Sequence, residues 1–263
     1  MPLWTLFGLE KGKATSAWPR GDDDGQEGVL GMPRFTPEAC ATDCDACAAV
    51  CPTEAIGVAR TDVGPERLTV DYGRCVACQL CVEACPGEAV QPSEDWAFGV
   101  RDRNDLMLDG EPAEPPAKGP GREFRRSLHI RHVDAGSCNG CESELQALNN
   151  PFYNLHRFGI FFTPSPRFAD LLLVTGPVTD AMREPLQRAY EAMPEPRWVM
   201  AMGTCAVCGG VAGGGVCANG LEGILPVDLY LPGCPPNPAA MIEALLMFQG
   251  RLPQRVKGGR LDR

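Results

Sequence analysis

Cysteine is the residue type with the most chemistry to offer: the chain has 263 residues and 14 cysteines, eight of which fall into two runs. Cys40, Cys44, Cys47 and Cys51-Pro52 form the first run, and Cys75, Cys78, Cys81 and Cys85-Pro86 the second. Cys44/Cys78, Cys47/Cys81 and Cys51/Cys85 stand 34 positions apart, and Glu54-Ala55-Ile56 returns at that offset as Glu88-Ala89-Val90. Closely spaced thiolates on a tight loop supply several corners of an iron–sulfur cube, with a further corner reached from afar. A repeat that preserves both the ligands and the residues after them is the pattern of two [4Fe–4S] sites. Paired C-x2-C units also build zinc ribbons. The four-cysteine run ending in Cys-Pro, duplicated with its Glu-Ala-apolar step, favours clusters over zinc and over disulfides.

A second constellation lies further on. It comprises Asp134-Ala135-Gly136-Ser137-Cys138-Asn139-Gly140-Cys141-Glu142, then Gly203-Thr204-Cys205-Ala206, then Pro232-Gly233-Cys234-Pro235-Pro236. Two neighbouring thiols and two single ones from distant loops are a plausible four-thiolate set. Spacing alone leaves the third ligand open, because Cys208 forms a C-x2-C with Cys205. Cys208 and Cys217 otherwise read as buried spectator thiols.

Composition narrows the function classes. A net charge of −10 and a pI near 4.9 exclude a nucleic-acid partner, which needs a basic footprint, and suit a low-potential electron carrier. No apolar run approaches a bilayer span, and Met1–Leu9 is too short for a signal peptide. The expected location is cytoplasmic, where thiols stay reduced and serve as metal ligands. Attachment to the cytoplasmic membrane face would then be peripheral, through partner subunits.

Elements that could position these residues follow from the apolar pattern. Residues 1–35 read as an N-terminal extension with a Gly21-Asp22-Asp23-Asp24-Gly25 loop, and residues 36–100 as a small α+β two-cluster module. The Pro-, Gly- and charge-rich stretch 101–126 has the composition of a linker. Residues 127–263 alternate strands and helices and so predict an α/β domain with a parallel sheet. Its expected strands are Leu128–Val133, Ile160–Phe162, Leu171–Val174, Trp198–Met202 and Val227–Leu231; its expected helices are Glu142–Asn149, Ala181–Met193 and Ala239–Gln249. Ligands of such sheets gather beyond the carboxyl ends of the strands, which is where Cys138, Cys141, Cys205 and Cys234 fall.

Two resemblances sharpen the reading. The duplicated module resembles the bacterial-type 2[4Fe–4S] ferredoxin domain, with one departure: its first gap is C-x3-C instead of C-x2-C. The resemblance implies one cluster on Cys40, Cys44, Cys47 and Cys85 and another on Cys75, Cys78, Cys81 and Cys51. The extra residue, one of Ala41, Thr42 and Asp43, makes Cys40 the least secure ligand.

The segment from Ser127 to about Gln249 resembles the small subunit of group 4, membrane-bound [NiFe]-hydrogenases, homologous to the complex I 20 kDa subunit. The residues that carry this are His129–Glu142, Asn150-Pro151-Phe152-Tyr153, Arg157-Phe158-Gly159-Ile160, Ser165-Pro166-Arg167, Ala169-Asp170, Val174–Thr179 and Pro232–Pro236. The resemblance implies a flavodoxin-like fold without a flavin, and a proximal [4Fe–4S] cluster on Cys138, Cys141, Cys205 and Cys234. It makes three clusters in all, with no catalytic residue on this chain. The implied partners are a [NiFe]-hydrogenase-like large subunit that holds the H2-converting centre, membrane-arm subunits, and a soluble redox carrier or a formate dehydrogenase-type module. Hydrogenases share the C-x-G-C spacing of Cys138–Cys141, whereas complex I has adjacent cysteines there. The alternative is a complex I-like, quinone-reducing module without nickel. Gly12–Pro19 resembles the lead-in of the ferredoxin subunits of such complexes.

Other residues invite functional readings. His129 and His132 could relay protons, although a histidine at a strand end more often serves packing. Glu142 could lie on a proton path, or simply complement a helix N-terminus. The glycine-rich run Gly209–Gly223 matches neither phosphate-loop nor dinucleotide patterns, and close backbone approach to a cluster explains it better.

Overall fold

The computed structural model describes residues 3–11, 18–19, 29–41, 43–59, 67–108, 120, 122–212 and 217–261. The expected loop at 21–25, residues 12–17 of the lead-in, most of 109–121, and 213–216 of the glycine-rich run lie outside the described residues.

After a first helix, α1 (Leu3–Lys11), comes a small α+β module. Its elements are β1 (Arg34–Phe35), α2 (Ala46–Ala49), β2 (Ile56–Ala59), β3 (Arg67–Val70), α3 (Leu80–Ala84) and β4 (Val90–Gln91). The strands form two antiparallel pairs, β1 with β4 and β2 with β3. The two short helices are the sequence repeats made structural, each containing the third cysteine of its run.

The larger module holds β5 (Leu128–Asp134), α4 (Gly140–Ala147), β6 (Ile160–Phe162), β7 (Leu171–Thr175), α5 (Asp180–Glu191), β8 (Trp198–Met202), α6 (Thr204–Cys208), β9 (Leu229–Leu231) and α7 (Pro238–Phe248). The five strands are parallel in the order β6-β5-β7-β8-β9, the doubly wound, flavodoxin-like arrangement. β7 lies at its centre and is buried along its whole length, which is why Leu171-Leu172-Leu173-Val174 can be continuously apolar. α7 is apolar apart from Glu243, which pairs with Arg255 at 3.5 Å, and every residue of it is buried. Its start is fixed by Asn237, whose side-chain oxygen accepts the Ala240 N–H at 2.8 Å, and by Pro238 in the first turn.

The two faces of the sheet are covered differently. Leu171, Leu173, Met200 and Met202 pack with α7, whereas Leu172, Val174, Val199 and Ala201 belong to a core shared with Phe35, Val70, Tyr72 and Phe98 of the small module. The modules are therefore joined by a common hydrophobic core. Val100 and Tyr230 exchange backbone hydrogen bonds of 2.9 and 2.8 Å, adding an antiparallel bridge beside β9. The first residues of the stretch 101–126 are also packed, with Leu106 fully buried and Leu108 nearly so. A final hairpin, β10 (Val256–Lys257) with β11 (Arg260–Leu261), holds them through the Gly259 N–H to Asp105 oxygen bond of 2.7 Å. Among the described residues no helix is long and apolar enough to cross a membrane.

Candidate iron–sulfur sites

In the small module, Cys47 and Cys81 sit on α2 and α3, and the other cysteines occupy the flanking loops. Cys51, the last cysteine of the first run, does not stay with that run. It lines one closed, largely apolar cavity together with Cys75, Cys78 and Cys81. The electrostatics agree: burial pushes Cys75 up to about 12, with Cys81, Cys51 and Cys78 adding to the rise. Burial likewise pushes Cys81 up to about 11, with Cys78, Cys51 and Cys47 adding. Burial raises Cys47 as well, and Cys40 and Cys44 reinforce the shift. The first run thus contributes one group of three thiols and sends its fourth across to the second run.

The residues after Cys51-Pro52 have a visible purpose. Glu54 adopts a left-handed conformation (φ 52°), which brings the Ala55 N–H within 3.2 Å of the Cys51 sulfur. The Ala77 N–H reaches the Cys75 sulfur at 3.4 Å. N–H groups aimed at sulfur stabilise the thiolate form that a metal requires. The irregular first gap also resolves locally. Asp43 (φ 62°) and Ala77 (φ 54°) are left-handed, each immediately precedes the second cysteine of its run, and they are 34 positions apart. The insertion therefore falls before Asp43, at position 41 or 42, and the remainder of the loop keeps the repeat.

The second constellation assembles at the carboxyl edge of the parallel sheet. Cys138 and Cys141 follow β5, Cys205 lies on α6 after β8, and Cys234 follows β9. Burial pushes Cys141 up to about 12, followed by Glu142 and then Cys205, Cys234 and Cys138. Burial pushes Cys205 up to about 11, with Cys234 and Cys138 next. Cys234 is raised by burial and by Cys138. These mutual influences group the four thiols at one place, from the β5–α4 turn, the start of α6 and the loop after β9. Glycines let those loops close. A Cβ on Gly203 would stand 2.7 Å from the Cys141 sulfur, and one on Gly210 would stand 2.7 Å from the Cys205 sulfur. Both glycines have positive φ, at 85° and 60°.

The Cys138–Cys141 loop is pinned from below. The Asp134 carboxylate accepts the Gly136 and Ser137 N–H groups at 2.8 and 2.7 Å, and the Ser137 hydroxyl accepts the Asn139 N–H at 2.9 Å. The hydroxyls of Ser137 and Thr175 both donate to the Glu142 carboxylate. His132 Nε2 stands 2.8 Å from the Thr175 hydroxyl, and burial lowers the His132 pKa with Glu142 opposing. His129 instead packs on Phe161 and lies against Asp170.

Thr204 escaped the sequence reading. Its hydroxyl is buried, donates to the Cys75 carbonyl at 2.9 Å and accepts the Gly233 N–H at 3.1 Å. One side chain thus touches the neighbours of Cys205 and Cys234 and the backbone of Cys75. Only the adjacency of Thr204 to Cys205 could have suggested it. Cys208 turns toward a helix carbonyl, with its thiol 3.3 Å from Thr204 oxygen, and Cys217 lies in a β-bridge with Thr179.

The donor sets suit iron–sulfur clusters: thiols only, grouped around shared space, with N–H groups on sulfur and glycines at the closest approaches.

Comparison with known proteins agrees with this geometry. Residues 39–89 match the 4Fe-4S dicluster domain and residues 138–248 the NADH ubiquinone oxidoreductase, 20 Kd subunit. The chain is 43% identical over 145 residues to formate hydrogenlyase subunit 7 of Escherichia coli, covering 54% of this chain and 57% of that protein, so it spans little more than half of that relative. It is 42% identical over 134 residues to the probable membrane-bound hydrogenase subunit mbhJ of Pyrococcus furiosus, covering 51% of this chain and 80% of that protein. A chain of the membrane-bound sulfane sulfur reductase, an archaeal respiratory membrane complex, superposes with a TM-score of 0.43 at 34% identity, covering 51% of this chain and 76% of that one. On its cysteine sites, the two family models and the curated relatives, the chain belongs to the family of small iron–sulfur electron-transfer subunits of group 4 [NiFe]-hydrogenases and complex I-like membrane complexes, joined to a 4Fe–4S ferredoxin domain.

Proposed function

We propose that this chain relays electrons within a multisubunit [NiFe]-hydrogenase, between a NiFe centre on a partner large subunit and an external carrier. Three [4Fe–4S] clusters, when bound, supply the one-electron redox centres. Cys138, Cys141, Cys205 and Cys234 would hold the cluster nearest the large subunit. Cys75, Cys78, Cys81 and Cys51 would hold the middle one, and Cys40, Cys44, Cys47 and Cys85 the outer one. Residues 36–100 would be the ferredoxin part, 101–126 the connection and 127–263 the hydrogenase-type part.

The observation that carries the reading is the Thr204 hydroxyl, 2.9 Å from the Cys75 carbonyl, which fastens the C-terminal site to the second run. It supports the proposed order of stations and a continuous path within one subunit. The chain's own residues bury the thiols, direct N–H groups at sulfur and hold the modules in fixed register through the shared core. The Cys138-Asn139-Gly140-Cys141 spacing favours a hydrogenase over a quinone-reducing module. Membrane-arm subunits would anchor the assembly on the cytoplasmic face. Anaerobic purification of the chain with its large subunit tests the reading. Stoichiometric nickel and H2-dependent reduction of the clusters support it; a nickel-free partner with quinone reductase activity overturns it.

A further inference from the structure

A cavity of about 790 Å³ lies at the sheet edge opposite the four-cysteine site. Arg125 and Arg126 lead into β5, Gly159 leads into β6 and Arg251 follows α7, so the cavity borders the amino ends of the strands. Its walls bring together Arg125, Arg126, Arg157, Arg251 and His156. Such a gathering is unusual on a chain with a net charge of −10. Several other guanidiniums are paired with carboxylates, as in Arg34–Asp95, Arg103–Asp71, Arg197–Glu195 and Arg255–Glu243, whereas Arg74 and Arg131 bond backbone carbonyls. Arg125, Arg126 and Arg157 have no carboxylate partner among the described residues. Two cations are also held in place around one ring: the guanidiniums of Arg157 and Arg251 lie 4.6 and 5.8 Å from the Phe158 centroid. Arg251 is fixed further by its 2.6 Å bond to the Phe158 carbonyl.

Arg125, Arg126 and Arg157 therefore set up a positive potential in the cavity that attracts an anion. The planar forks of arginine match phosphate oxygens bidentately, and the volume is that of a small-molecule site. We propose that this cavity binds a phosphate-bearing ligand through Arg125, Arg126 and Arg157. The phosphate belongs either to a soluble molecule or to a phospholipid headgroup. The site is separate from the electron path.

The test uses the cluster-loaded protein, with inorganic pyrophosphate as the soluble probe and vesicles of phosphatidylglycerol or phosphatidylcholine as the lipid probe. Arg126→Gln/Arg157→Gln is the site variant; Arg183→Gln/Arg188→Gln on α5 controls for net charge. Calorimetric binding of one pyrophosphate per chain, weakened about tenfold or more by the site variant and not by the control, supports the soluble source. Flotation with phosphatidylglycerol vesicles alone, abolished in the site variant only, supports the lipid source. The proposal is overturned if neither probe binds, if the site variant binds like wild type, if the control loses as much, or if polyglutamate binds more tightly than pyrophosphate.

Discussion

Thr204→Val separates shape from hydrogen bonding at the junction of the two modules. Valine keeps the volume and branching of threonine but orphans two backbone groups, the Cys75 carbonyl now bonded at 2.9 Å and the Gly233 N–H now bonded at 3.1 Å. Thr204 is 1% exposed, so water cannot replace the hydroxyl without a rearrangement. A buried group left unpaired costs about 1–3 kcal/mol, which gives a loss of ~2–6 kcal/mol for the pair. The assay is anaerobic denaturation of the cluster-loaded protein, with the magnetic interaction between clusters followed by electron paramagnetic resonance in parallel. Valine should lower stability by that amount and weaken the interaction between the C-terminal cluster and its neighbour. Thr204→Ser, which keeps the hydroxyl, should restore the interaction. A valine variant within about 0.5 kcal/mol of wild type, with an unchanged spectrum, would show that the hydroxyl fastens nothing.

Cys51→Ala should remove the cluster of the second run and spare that of its own run, read from which spectral signal disappears, because Cys51 shares a cavity with Cys75, Cys78 and Cys81. Gly203→Ala would force a Cβ to within 2.7 Å of the Cys141 sulfur at a φ of 85°; iron analysis should show the C-terminal site depleted while the ferredoxin sites stay filled. Burial lowers the His132 pKa in the folded state. The unfolded chain, with an ordinary value of about 6.5, therefore takes up this proton first. Stability from this residue is intact above about pH 6.5 and declines as pH falls through the window toward the folded pKa. Thermal midpoints at about pH 7.5 and about pH 5.5 should differ less in His132→Gln than in wild type.

The parallel sheet was legible because β7, β8 and β9 are short apolar runs and β5 carries Leu128, Ile130 and Val133 inward: four of the five expected strands lie within a residue of their observed bounds. The fifth begins at Leu229, later than the expected Val227, because the Asp228 carboxylate accepts the Val199 N–H at 2.9 Å and ends the pairing. The first helix of the larger module begins at Gly140 instead of Glu142, since the turn that admits it is set by Asn139 at φ 71°. Proline and charge content made 101–126 look like a free connection. That signal cannot register Leu106 and Leu108, whose burial depends on a hairpin some 150 positions away, through Gly259. The grouping of the cysteines in the two runs was legible in spacing, because the Cys-x-x-Cys loops are local, whereas spacing alone left Cys205 and Cys208 as alternatives. Thr204 was not: its importance comes from meeting Cys75, 129 positions earlier, and no local pattern encodes that contact.

If one chain holds three clusters in sequence, the metal content of the anaerobically purified chain must show it. Iron and acid-labile sulfide should each approach about twelve per chain, with three distinguishable reduced signals. Loading of about eight, unchanged by Cys234→Ala, would contradict it, because the site at the carboxyl edge of the sheet would then hold no cluster.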